Sequence, residues 1–286
     1  STTSGATTPN PSYAPGTAMT MPEGNLTLYA VWAAKTPVTL TANSATYAYN
    51  GNARSVSGIS ASVGGLTIEN TTAGATGTNP GVYPTSFSNQ AGLVLKDGGV
   101  DVTERYTVSW ANGNLTINPV VTYVNGANGS IIGTESVAYG TGSATYNVTP
   151  PQNVTVAGVN YYWTGSYNPA TATNLTSNIT ITALYTANKT IVITAYSSEY
   201  VYNATQRSVT TATVNVSGVT VTGYTVSGSR TDVGSTTTTV TLGAVKIMSG
   251  SSDVTYQYDV STATGLLKIT PATTTATATG YDAKYD

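Results

Sequence analysis

The chain contains no cysteine, no histidine and a single phenylalanine, and only 8% of its 286 residues are charged. Each shortage removes a class of chemistry. Without His or Cys there is no Ser-His-Asp or Cys-His nucleophile pair, no thiol chemistry, and no zinc or haem site of the usual ligand types. Disulfide stapling is excluded too, although secretion is not. Acidic residues number 12 against 10 basic ones, a net charge of −2, so no basic field exists to hold phosphate and nucleic acid is not an expected partner. No apolar run approaches the roughly 20 residues of a membrane-spanning helix, so membrane insertion is not expected. These exclusions point away from an enzyme.

What the chain has in abundance forms strands. Thr makes up roughly a fifth of it, with 21 Tyr and 29 Gly. Low charge with much Ser, Thr and Gly also fits a disordered mucin-like stalk, but Val, Ile, Tyr and Thr are strand formers. Runs such as VTLTA, LTIEN, YTVSW, NVTVAG, ITITALY and LLKITP alternate bulky with small or polar residues at period two. Turn residues separate them, as in Tyr49-Asn50-Gly51, Asn79-Pro80-Gly81 and Lys96-Asp97-Gly98-Gly99. No helical stripe is visible, although 86–97 has room for one short turn. The expected class is all-β, with small modules in tandem forming an elongated rod.

Internal repeats set the organisation. VTLTANSATYAYNGNARSV (38–56) returns as IVITAYSSEYVYNATQRSV (191–209). Asp101-Val102-Thr103 and Tyr106 return as Asp253-Val254-Thr255 and Tyr258, and Gly113, Leu115, Ile117 and Pro119 as Gly265, Leu267, Ile269 and Pro271. Two copies of a module A therefore occupy 36–119 and 188–272. A different module, B, fills 120–187. Its closing NITITALY (178–185) matches NLTLYAVW (25–32), so 1–35 reads as the end of another B, and 273–286 as the start of a further A. Such a chain looks like an internal slice of a longer array. The Pro-containing junctions Lys35-Thr36-Pro37 and Asn118-Pro119-Val120 are short, which favours a stiff string.

The A modules resemble a bacterial Ig-like surface repeat of MBG type, through Tyr49-Asn50-Gly51, Asp101-Val102-Thr103, Tyr106 and Gly113 to Pro119. The second copy has Ala204 in place of Gly51, so a different turn is expected there. Module B resembles repeats of internalin-B and Listeria–Bacteroides type, which implies a β-grasp-like fold. The resemblance rests on Val121-Thr122-Tyr123, Tyr139-Gly140, Tyr161, Trp163, Gly165 and the closing Ile179–Tyr185 run. It departs at Asn160 and Ser166, where the family often has Gly and Trp. The fragment from Met21 to Trp32 fits the end of such a repeat more closely. Both resemblances imply stalk or adhesin modules of bacterial cell-surface proteins.

Few residues stand out as candidate sites. Asp101 and Asp253 recur at equivalent places and are the candidate Ca²⁺ ligands, with Asp97 beside the first; no other metal and no cofactor is expected. Calcium takes six to eight oxygens, and Ser249 replaces Asp97 in the second copy, so the favoured role is acceptance of backbone N–H groups at a turn. Arg54 and Arg207 recur beside Tyr47 and Tyr200. They are candidates to grip a carboxylate such as a sialic acid, with stacking on a neighbouring Tyr the favoured reading. Tyr161, Tyr162, Trp163 and Tyr167 form the densest aromatic patch, and alternation sends Tyr161 and Trp163 inward and Tyr162 outward, as a sugar-stacking ring. The Thr runs at 236–239 and 273–279 are candidate O-glycan carriers, equally explained as strand.

The expected function is a non-enzymatic stalk or spacer in an extracellular bacterial surface protein, at the cell surface or wall. Its first partners are other modules of the same protein. Two alternatives stand beside it: repeats that themselves bind host glycans or matrix proteins, and a filament subunit joined to others by strand exchange.

Overall fold

Period-two alternation puts one side of each strand into a core. Val38, Leu40 and Ala42 are buried along Thr36–Ala42, as are Ile191, Ile193 and Ala195 along Lys189–Ala195. The computed structural model describes Ala18, Thr20 and residues 23–280. The fold is all-β. Besides strands, the described residues hold three single-turn 3-10 helices, Gln90–Gly92, Thr103–Arg105 and Thr255–Gln257. The first of these is the short turn expected within 86–97.

The described residues fold into two compact units. One runs to Val121 and takes in Glu135–Thr145 and Ala172–Ile179; the other comprises Thr122–Thr134, Tyr146–Thr171 and the chain from Thr180 onward. The division passes through 120–187.

In the first unit, residues 36–118 build a two-sheet sandwich. One sheet has the order Tyr106–Ala111, Thr36–Ala42, Ile59–Ala61; the other runs Ala45–Ala48, Gly113–Asn118, Gly81–Ser88, Thr72–Gly77, Arg54–Ser57. Leu66–Glu69, Val94–Asp97 and Val100–Asp101 form a third, small sheet. Val38, Leu40, Leu95 and Val102 make the core, and Phe87 meets Trp110 edge-on at 4.7 Å. The chain crosses between sheets at Asn43–Ser44 and again at Asn112. Gly113 is required by that crossing, because a Cβ there would lie 2.3 Å from the Ala42 carbonyl oxygen. The second copy repeats the arrangement: a Cβ on Gly265 would lie 2.3 Å from the Ala195 oxygen.

The second unit contains most of a five-stranded sheet ordered Ile131–Ser136, Val120–Asn125, Ile179–Ala187, Val159–Asn168, Asn153–Val156. It also holds the second sandwich, with Ala212–Val214, Lys189–Ala195 and Tyr258–Ala263 in one sheet and Ser198–Val201, Gly265–Thr270, Gly234–Ser249 and Thr220–Ser227 in the other. The copies differ in their edges and breaks: Thr220–Ser227 is one strand where the first copy has Leu66–Glu69 and Thr72–Gly77, and Arg207–Ser208 pairs with Ser229–Arg230 in a separate two-stranded sheet. Gly234–Ser249 is a continuous strand, where the first copy has Gly81–Ser88, the Gln90–Gly92 turn and Val94–Asp97. Left-handed Asn89 (φ 52°) opens that turn, which absorbs the one extra residue the first copy carries between Ser88 and Leu95.

Two terminal stretches lie outside the sheets, and one local expectation needs correction. Residues 25–32 match the strand at 178–185 in sequence but belong to no sheet, and Leu28 and Trp32 are 49% and 88% exposed. Ile179–Ala187 is a strand because neighbours flank it on both sides. The tail expected to open another module is likewise without strand through Gly280, and Tyr285-Asp286 lie outside the described residues. Finally, the turn at Ala204 does not differ from that at Gly51. Both residues are left-handed (φ 62° and 82°), and Asn203 and Asn50 each accept the N–H two residues on, at 3.2 and 3.1 Å.

Candidate functional site

The recurrent acidic residues are turn locks. Asp101 Oδ1 accepts the Thr103 N–H at 2.9 Å and the Thr103 hydroxyl at 2.7 Å; Asp253 does the same with Thr255 at 3.0 and 2.6 Å. Each Thr oxygen in turn accepts a backbone N–H, from Leu95 at 2.8 Å and from Ile247 at 2.9 Å. The Thr hydroxyl, then its N–H, then the nearby Lys96 or Lys246 charge hold both carboxyls below their ordinary range. Asp97 lies opposite Val100, and Asp101 opposite Lys96. Neighbouring pairs point to opposite sheet faces, so the Asp97 and Asp101 side chains diverge. Among the described residues no group of three or more acidic side chains is placed to share a metal ion.

The recurrent arginines stack. Arg54 lies over the Tyr47 ring at 5.0 Å, and Arg207 over Tyr200 at 4.8 Å. In both copies the guanidinium Nε is enclosed without a hydrogen-bond partner. The stack accounts for the recurrence of Arg and Tyr seven residues apart, one on each side of the turn at Asn50-Gly51 or Asn203-Ala204. A recess of about 330 Å³ in the first unit, lined by Ser57, Ile59, Ile68, Thr71, Thr72 and Ala73 among others, carries no titratable side chain.

The aromatic patch is the core of residues 120–187, extended by one outlying ring. Tyr123, Tyr146, Tyr167 and Trp163 pack edge-to-face with centroids 5.4–6.1 Å apart. The Tyr146 hydroxyl donates to Pro169 O at 2.8 Å, that of Tyr185 to Pro151 O at 2.6 Å, and that of Tyr167 to Val148 O. Burial raises the pKa of Tyr167 and of Tyr185. Tyr162 is not the outward ring that alternation implied. It is half-buried, with Tyr256 of the following sandwich edge-on at 5.8 Å. Alternation within one strand could not show that a residue from another module covers this face. Thr238, in one of the Thr runs, is fully buried and donates to Tyr196 O at 3.1 Å, which takes it out of reach of a glycan.

Sequence reasoning missed the side chains that fix the junctions. At the first, Pro119 alone separates Gly113–Asn118 from Val120–Asn125. Tyr139 N–H donates to Asn118 Oδ1 at 3.1 Å, Val120 N–H to Asn178 Oδ1 at 2.9 Å, and Val137 N–H to Pro119 O at 3.1 Å. At the second, Asn188 alone separates Ile179–Ala187 from Lys189–Ala195. Asp259 Oδ1 accepts the amides of Asn160 and Asn188 at 2.8 and 3.0 Å, and Tyr256 O accepts that of Asn153 at 2.6 Å. The sequence hinted at the first junction through the short Asn118-Pro119-Val120 link; nothing marked the one at Asn188, and Asp259 stands where the first copy has Thr107.

No protein-family profile matches the chain, and no curated protein matches it. Among solved structures, the crystal structure of the I9–I11 tandem from titin is similar over 80% of this chain and 97% of that one, with 9% sequence identity. The TM-score is 0.25, too low to assign a shared fold.

Proposed function

We propose that the chain is a non-enzymatic stalk segment of a bacterial extracellular surface protein, built from MBG-type Ig-like repeats around an internalin-B-type repeat. Its work is to hold a distal binding domain away from the cell. One observation carries the reading: both junctions are a single residue long and are clamped by side-chain hydrogen bonds. A one-residue link with fixed neighbours has little freedom to swivel, whereas a Gly/Ser linker behaves as a coil. The low charge and hydroxyl-rich faces limit unspecific association while keeping the surface hydrated.

Small-angle scattering of the soluble chain tests the stalk. The native profile is expected to fit one conformation, and six Gly/Ser residues inserted after Asn188 should turn it into that of an ensemble. A native profile already that of an ensemble, unchanged by the insertion, refutes the stalk reading. A glycan and matrix-protein array tests the rival: saturable binding, lost in Arg54→Ala or Tyr162→Ala, would make the repeats themselves the adhesin.

A further inference from the structure

We infer that Asn50 is a self-modifying site. In the folded chain its side-chain amide is converted to a carboxylate through a cyclic imide formed with the nitrogen of Gly51, while the other Asn-Gly pairs are held back by the fold. The chain has four such pairs, Asn50-Gly51, Asn112-Gly113, Asn125-Gly126 and Asn128-Gly129. Local sequence treats them alike, since each offers the same amide to a nitrogen with no Cβ beside it.

Tertiary structure separates them. Gly113 is buried, its N–H donates to Thr85 Oγ1 at 2.9 Å, and a Cβ there would lie 2.3 Å from Ala42 O. Asn125 is buried as well, and the Gly126 N–H donates to Ala183 O at 3.0 Å. Asn128 and Gly129 are exposed, but the Gly129 N–H donates to Asn125 O at 2.7 Å. A nitrogen engaged in a hydrogen bond can neither lose its proton to water nor turn toward the side chain until that bond opens. At the remaining pair both residues are exposed, and a Cβ on Gly51 would meet nothing within 4 Å. The Gly51 N–H has no acceptor among the described residues. Asn50 Oδ1 accepts the Asn52 N–H at 3.1 Å, which draws electrons from Cγ and keeps the side chain folded over its own backbone. Asn128 makes the same kind of turn with the Ser130 N–H at 3.0 Å, so the bond from the glycine is what sets the two exposed pairs apart.

The chemistry needs only water. The Gly51 nitrogen gives up its proton and attacks Asn50 Cγ. A new N–C bond closes the imide, and the side-chain nitrogen leaves as ammonia with a proton taken from water. Water then opens the ring. Cleavage of the bond to Cγ gives an ordinary aspartate, whereas cleavage of the bond to the main-chain carbonyl carbon gives isoaspartate, whose backbone passes through Cβ and Cγ. Either product adds one negative charge at neutral pH. Isoaspartate also lengthens by one carbon the loop that joins the stacked Tyr47 and Arg54. The second A module is spared: Asn203 makes the same turn as Asn50, but Ala204 puts a methyl group beside the attacking nitrogen. The two sandwiches therefore age differently.

The test is incubation of the full chain at mildly alkaline pH, with each Asn-Gly peptide followed by mass spectrometry and isoaspartate identified by its fragmentation. In the folded chain Asn50 is expected to react at least about fivefold faster than Asn128, whose glycine must first open one hydrogen bond. It should lead Asn112 and Asn125 by at least about fiftyfold, since those pairs need local unfolding. In guanidinium chloride the four rates should converge to within about threefold, because only the native structure separates them. Ala204→Gly is expected to create a second site, with Asn203 reacting within about threefold of Asn50 once the methyl group is gone. The inference is overturned if Asn50 reacts no faster than Asn128 in the folded chain, if its lead survives unfolding, or if Asn203 stays slow in Ala204→Gly.

Discussion

Replacing Thr103 by Val keeps the shape of the side chain and removes the one oxygen at the centre of the Asp101 turn. Leu95 is fully buried, and its N–H donates to Thr103 Oγ1 at 2.8 Å. In the variant that N–H faces a methyl group and has no water to turn to. Leaving a buried donor unsatisfied costs about 1–3 kcal/mol. Asp101 loses a partner too, but its exposed carboxylate is rehydrated and adds little. The expected loss is about 2 kcal/mol, a fall of about 1 M in the urea midpoint at a slope near 2 kcal/mol/M. Trp110 packs in the same core and reports its unfolding by fluorescence, once Trp32 and Trp163 are replaced by Phe. Thr103→Ser retains the hydroxyl and should stay within about 0.5 kcal/mol of the parent, within the usual range for a surface change. The second copy is a replicate: Thr255→Val strands the N–H of buried Ile247, visible as faster exchange of that amide. If Thr103→Val is neutral, or Thr103→Ser is as damaging as Thr103→Val, the account of this turn is wrong.

Other consequences follow from the same comparison of the two copies. Ala204→Gly should stabilise the second sandwich by about 0.5–1 kcal/mol, since left-handed backbone costs a non-glycine residue about 1–2 kcal/mol and Gly returns part of that as chain entropy. Gly51→Ala should destabilise the first by a similar amount, both read as thermal midpoints. Gly113→Ala and Gly265→Ala drive a Cβ into a backbone oxygen and should each cost about 1–3 kcal/mol in urea unfolding. The carboxyls of Asp101 and Asp253 titrate below the ordinary Asp range in the folded chain, held there by the Thr hydroxyl and N–H. The unfolded chain therefore binds protons first as pH falls, so their contribution is complete above about pH 5 and is lost through the acid range below it. Midpoints measured from pH 6 to pH 2 should fall, and the fall should be shallower in the double variant Asp101→Asn, Asp253→Asn.

How much was legible depended on the reach of the interaction. The Asp101 and Asp253 turns could be read because donor and acceptor are two residues apart, and a carboxylate two positions before a Thr makes the same bonds wherever the chain carries it. The Asn50 and Asn203 turns could be read for the same reason. The substitution of Gly51 by Ala204 misled, because the side chain of Asn203 holds the left-handed turn whatever follows it. The Arg–Tyr stacks lie between these cases: recurrence flagged the pair, and the fold of the segment between them made the contact.

By itself the sequence determined the all-β class, the two copies and their local turns, because period-two alternation and bonds spanning two residues are properties of adjacent side chains. Tertiary structure alone decided the rest. Tyr162 is covered because Tyr256 is folded against it, and Asp259 clamps Asn160 and Asn188 although nothing near it in the chain marks it as different from Thr107. Gly113 and Gly265 are needed only where a carbonyl from the other sheet passes within reach of a Cβ. The parallel pairing of Thr36–Ala42 with Tyr106–Ala111 and of Ala45–Ala48 with Gly113–Asn118, and the absence of residues 25–32 from any sheet, are of the same kind. A strand is stabilised by its neighbours in the sheet, and those neighbours are chosen by the packing of the whole module.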